Sequence, residues 1–222
     1  DFLSSDKLSL RFLPNVGEIS FETLISTDLI NDFFQEYFYD VIHLLENFPE
    51  SYLNNPIGKL ATIYADQWQY DNKFCVIGDA AHAVVPFFGQ GMNASFEDCH
   101  VLMKCLDESP GNWNDLFIRY NVERKPDADA IAKMAIENYV EMRKSVLEKE
   151  YVNKKKIANA LFNQYPNRFI PRYNMVSFTS IPYSEVYRRG NIQKKILSRL
   201  DMENPNIDSL KDIIENKLSL IN

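Results

Sequence analysis

The chain has 222 residues, 45% hydrophobic and 25% charged, enough apolar content to bury a core as one or two domains. A net charge of −7 argues against a nucleic-acid partner, and no zinc-finger, RRM or basic-stripe pattern is present. Cys75, Cys99 and Cys105 are odd in number and lack metal-ligand spacing, so they read as reduced cysteines of an intracellular protein. No signal-peptide pattern opens the chain, and no apolar run reaches the ~18 residues of a membrane span.

In chain order, Leu8, Leu10 and Phe12 alternate with polar residues, as do Ile19, Phe21 and Thr23. Pro14-Asn15-Val16-Gly17 between them supplies turn chemistry, which predicts a β-hairpin. Asp28 to Glu46 carries Phe, Leu and Ile at helical spacing and predicts a helix ended near Pro49. Leu60 to Trp68 reads as a strand that leads through the Asp71-Asn72 turn into a second, buried strand, Phe74 to Ile77, bounded by Gly78. The loop Pro86 to Gly91 then opens a helix on which Met92, Phe96, Cys99, Met103 and Leu106 share one apolar face.

After Pro110-Gly111 the pattern turns helical. Trp113 to Arg124 predicts one helix, and Pro126 starts or kinks the next, a long one over Asp127 to Val152. Lys154 to Tyr165 predicts another; Lys154-Lys155-Lys156 is a solvated face or, alternatively, a contact with an anionic membrane surface. Beyond Tyr187 the chain is mostly polar, with an amphipathic stretch near Asp208 to Leu220.

The chemistry concentrates in Phe74 to Asp98, FCVIGDAAHAVVPFFGQGMNASFED. Asp79 sits at a strand's carboxyl end, where ligands of open sheets bind, and an ionised carboxylate accepts bonds from ribose or ribityl hydroxyls. Gly89 and Gly91 permit close backbone approach to a ligand. The unpaired amides of Gly91 to Asn93 offer the positive end of a helix dipole to an anionic group. A plain strand-loop-helix connection with an Asp cap is the alternative. His82 has no second ligand at metal spacing, and no serine stands in a GxSxG elbow. Farther on, Ile131, Ala135, Asn138 and Met142 share a helix face, so the Asn138 amide must bond neighbouring backbone, water or a ligand. Tyr173, in FIPRYNMVSF, poses the same choice between a carbonyl and a ligand.

The string GD followed by AAHAVVPFFGQGMN resembles the second flavin-contacting motif of the FAD-dependent aromatic hydroxylases. ENYVEMR at Glu137 to Arg143 and FIPRYNMVSF at Phe169 to Phe178 are similar to the branch of that family that hydroxylates kynurenine. Ser95 stands where many relatives carry glycine, and Phe88 where some bacterial ones carry histidine. The resemblance implies FAD as cofactor, NADPH as co-substrate, O₂ and L-kynurenine as partners, and no catalytic protein nucleophile. It implies cofactor contacts at Asp79, Gly89, Gln90, Gly91, Met92 and Asn93. It also implies substrate contacts at Pro86, Phe87, Gln90, Asn138, Met142 and Tyr173.

The family's amino-terminal GxGxxG unit is not among these residues, whose only GxG is Gly89 to Gly91, so the resemblance implies a carboxyl-terminal half that works with an amino-terminal FAD-binding half. The expected fold is mixed α/β, in four parts. Residues 1–70 form a substrate-domain sheet and helix, and 71–110 the second half of the FAD-binding domain. Residues 111–187 form a helical region closing the substrate pocket, and 188–222 a polar tail. The resemblance further implies a place at the mitochondrial outer membrane. A hydroxylase of another small aromatic acid, and a non-catalytic helical interaction module on the same scaffold, are the alternatives.

Overall fold

The computed structural model describes residues 19, 23–56, 60–144, 149–200 and 205–221. The predicted hairpin therefore lies outside the described residues, apart from the single positions Ile19 and Thr23. The chain divides into two units, residues 1–60 and 61–222.

In the first unit, helix α1 spans Thr27–Tyr37. Ser26 caps it by accepting the Leu29 amide on its hydroxyl, and Asp28 adds a favourable charge in the first turn. Its buried face, Ile30, Phe33 and Phe34, packs with Leu24, and the Phe34 ring meets Phe48 of helix α2 (Phe48–Asn54) at 4.2 Å between centroids. The helix expected to run to Glu46 stops at Tyr37, and Pro49 opens α2 instead of closing α1. Proline suits that place because the first helical amides have no intrahelical partner to lose.

The second unit begins with two short antiparallel strands, β1 (Gln69–Tyr70) and β2 (Phe74–Cys75), in register Gln69 to Cys75 and Tyr70 to Phe74. Asp71 and Asn72 both take positive φ in the turn between them. The longer strands expected over Leu60 to Trp68 and Phe74 to Ile77 shrink to these residues, and Phe74, Val76 and Ile77 are exposed, not buried. Among the described residues no further strand lies alongside to extend the ladder or cover it. The expected α/β character survives only as this small sheet; the described residues are mostly helical.

Helices α3 (Asp79–His82), α4 (Gly91–Glu108) and α5 (Trp113–Lys144) follow. Pro126 neither starts nor ends a helix: it lies inside the 32 residues of α5. An internal proline costs about 3 kcal/mol, and the burial of Leu116, Tyr120, Ala128, Ile131 and Met134 on the same helix offsets it. Helix α4 turns Ala94, Asp98 and Cys105 inward, against α5 and Trp68. The apolar face seen in the sequence points outward instead, with Met92 69% and Phe96 65% exposed, and Cys99 and Met103 exposed as well.

Helices α6 (Lys149–Gln164), α7 (Arg172–Phe178), α8 (Tyr183–Leu197) and α9 (Lys211–Lys217) complete the unit. In α6, Lys154 pairs with Glu150 and Lys155 lies over the Tyr151 ring. Residues read as a polar tail carry the second half of α8 and all of α9, with Ile196, Leu210, Ile214 and Leu218 buried against Leu161 and Phe169. The buried Arg189 ties that end down, donating to the carbonyls of Arg168 and Ser219. Among the described residues no helix is long and apolar enough to cross a membrane.

Candidate functional site

The site is built around the turn from β2 to α3 and the loop from Pro86 to Gly91. Gly78 adopts φ 58°, ψ −142°, a conformation open to glycine and strained for other residues, and this turn delivers Asp79 as the first residue of α3. The Asp79 carboxylate is exposed and makes no hydrogen bond or ion pair among the described residues. Pro86–Phe88 forms a single 3₁₀ turn closed by Gly89 at φ 65°, above which a Cβ would meet no atom within 4 Å. Helix α4 then starts with no side-chain cap, its first backbone bond being Ala94 N–H to Gln90 C=O, so the amides of Gly91, Met92 and Asn93 face outward unpaired. A free carboxylate, an open glycine and three helix-start amides together suit a polar, partly anionic ligand.

The loop is held from three helices. From α5, the Asn138 amide nitrogen donates to the Phe87 carbonyl at 2.8 Å and lies 3.6 Å from the Met142 sulfur. The Phe87 ring packs on Tyr139 at 4.7 Å. From α7, Tyr173 stacks on Phe88 at 6.1 Å, while its own hydroxyl makes no hydrogen bond among the described residues. From α8, Tyr183 O–H donates to Gln90 Oε1 at 2.9 Å, and the same oxygen accepts from Asn93 at 3.0 Å. Burial, then the charge of Glu97, pushes the Tyr183 phenol up to about 12, so it stays a donor at neutral pH.

Asn138 thus satisfies the backbone alternative through its nitrogen, and among the described residues its Oδ1 has no partner. The structure brings Phe87, Gln90, Asn138 and Met142 into one contact chain, with Tyr173 beside them on Phe88. Pro86 stands at the exposed start of the turn.

Several supporting residues escaped the sequence reading. Asp98, on α4, is completely buried: its Oδ2 accepts the Gly78 N–H at 2.9 Å and lies 2.5 Å from His82 Nε2, and its Oδ1 accepts Arg124 Nε at 2.9 Å. Burial alone would raise the Asp98 carboxyl, but these bonds outweigh it and hold the group below the usual carboxylate range. Arg124, 2% exposed, also reaches Glu97 Oε2 at 2.9 Å and the Ala94 carbonyl at 3.2 Å. The buried ring of His82 stacks on Trp68. A second clamp joins the segments carrying Asn138 and Tyr173. Arg172 pairs with Glu137, which also accepts from Tyr187 O–H at 3.2 Å. Gly190 on α8 leaves room for it, since a Cβ there would lie 2.5 Å from Arg172 Nε. The signal for Asp98 was present: Ala94, Asp98 and Cys105 lie on one helix face, an acid among small residues.

Residues 42–135 match the FAD binding domain family. Over 199 residues the chain is 43% identical to a kynurenine 3-monooxygenase of Cytophaga hutchinsonii, covering 89% of this chain and 44% of that protein. It is 34% identical over 221 residues to the kynurenine 3-monooxygenase of Dictyostelium discoideum, covering 93% of this chain and 48% of that one. The Myxococcus xanthus kynurenine 3-monooxygenase is 40% identical over 189 residues, 85% of this chain and 40% of its own. The chain therefore spans less than half the length of each of these relatives. Along most of its own length the chain is similar to kynurenine 3-monooxygenases, and residues 42–135 are similar to a segment of an FAD binding domain.

Proposed function

We propose that this chain supplies the lower flavin site and about half the substrate pocket of an NADPH- and FAD-dependent monooxygenase that hydroxylates L-kynurenine to 3-hydroxykynurenine. The observation that carries the reading is the Asp79 carboxylate, without a partner among the described residues, together with the open Gly89 turn and the uncapped start of α4. These residues fit a flavin: Asp79 accepts ribityl hydroxyls, and the amides of Gly91, Met92 and Asn93 face its pyrimidine edge. When bound, FAD supplies the redox chemistry with NADPH and O₂. The protein's share is binding, orientation and exclusion of water.

On the substrate side, Asn138 Oδ1 accepts from the ammonium of the amino-acid head, its nitrogen being already committed to the Phe87 carbonyl. The Tyr173 hydroxyl donates to the carboxylate. Pro86, Phe87 and Gln90 line the aniline end, and Met142 covers the ring with an adaptable side chain. An amino-terminal half, carrying the GxGxxG unit, completes both sites. The outward apolar stripe of α4, Met92, Phe96 and Met103, is the kind of surface such a partner segment covers. The test is flavin retention by the full-length protein after gel filtration, wild type against Asp79→Ala. Loss of flavin in the variant supports the reading, and equal retention sinks it.

A further inference from the structure

In the proposed flavin site Asp79 is the key acceptor, but among the described residues nothing bonds its side chain. Its direction is set by the peptide before it. Gly78 occupies a backbone conformation that only glycine takes without strain, and its N–H is bonded, twenty residues along the chain, to the buried Asp98. Asp98 spends its other acceptor positions on His82, at the end of the same short helix α3, and on Arg124 of α5. One carboxylate therefore grips α3 at both ends. An ionised carboxylate only accepts, so His82 Nε2 donates, and the Arg124 guanidinium compensates the buried charge. Arg124 also bonds the Ala94 carbonyl in the first turn of α4, so the same unit locates the helix start whose amides face the ligand.

We propose that His82, Asp98 and Arg124 form a positioning unit that fixes the Gly78 peptide and the α4 start relative to each other, and so aims Asp79 at the ribityl hydroxyls. None of the three touches the cofactor; they act through Asp79. The proposal rests on the flavin reading.

The test is a double-mutant cycle on FAD affinity, read by titrating the flavin-stripped full-length protein. Asp79→Ala loses a bond to a charged acceptor, a weakening on the order of tenfold to a hundredfold. His82→Gln and Asp98→Asn should each weaken FAD by about tenfold, working through Asp79. If they act through it, each double variant with Asp79→Ala binds FAD as Asp79→Ala does, within about twofold, because the aimed group is already gone. A merely structural loss would instead multiply with that of Asp79→Ala. Multiplying effects overturn the positioning role while leaving the flavin site standing, and so do single variants with wild-type affinity. An Asp79→Ala protein that binds FAD like wild type overturns both. Should Asp98→Asn fail to fold, the His82→Gln cycle decides alone.

Discussion

Replacing Arg124 by methionine, of similar length but uncharged, tests the electrostatics of the site most severely. Among the described residues Arg124 is the only arginine or lysine paired with Asp98, and neither Asp98 nor Arg124 is more than 2% exposed. Removing one partner of such a pair leaves a buried charge uncompensated, a loss of about 3–5 kcal/mol. The contact with Glu97 adds at most about 1 kcal/mol, since that carboxylate is half exposed. The sum is a large part of the roughly 5–15 kcal/mol that holds a domain folded.

The pH dependence should weaken as well. In wild type the Asp98 pKa is lowered, so its stabilisation is complete above the unfolded value, about 3.9, and is lost as pH falls through the folded one. Without Arg124, one of the bonds that hold the Asp98 carboxyl down is gone, and its folded value moves back up toward the unfolded one. Stability of the variant then falls less steeply than that of wild type as pH drops below about 4. Urea unfolding followed by the fluorescence of Trp68, which is buried and stacked on His82, reads both effects at the site. A loss below about 1 kcal/mol, or an acid-side slope as steep as that of wild type, would refute the reasoning.

Gly190→Ala drives a methyl into Arg172 and should unseat its pair with Glu137. The expected result is a raised KM for kynurenine with flavin content unchanged. Tyr183→Phe removes the donor to Gln90 but leaves Asn93 on the same oxygen, so the loss should be only about 0.5–1.5 kcal/mol in FAD or substrate affinity. The isolated 222-residue chain should bind FAD weakly and self-associate through the α4 stripe; light scattering should fall when Phe96 and Met103 are both made serine. Tight stoichiometric FAD binding by that chain would contradict the division into halves.

Local signals were legible where they were strong and short-range. The Asp71-Asn72 turn, the glycine loop, the start of α4 and the shared face of Asn138 and Met142 stand where residue type and spacing put them. What spacing could not reveal was which neighbour each face meets. Met92, Phe96 and Met103 read as a helix's apolar face, yet α4 turns inward the side carrying Asp98, because Arg124 and His82 supply partners that only the fold brings near. Phe74 to Ile77 has strand composition but no strand beside it to make a buried ladder. Pro126 carries a helix-breaking signal that packing along α5 outweighs. Tyr183 was invisible for a different reason: its bond to Gln90 spans 93 residues, and no local pattern marks such a contact.

In the proposed function, Asn138 and Tyr173 hold the amino-acid head of kynurenine beside a flavin seated at Asp79. The most direct test is NADPH consumed against 3-hydroxykynurenine formed by the full-length protein, for wild type, Asn138→Ala and Tyr173→Phe. Near-equal amounts are expected in wild type, with a raised KM and more NADPH lost to hydrogen peroxide in both variants. Wild-type kinetics and coupling in both variants, or no 3-hydroxykynurenine from wild type, would contradict it.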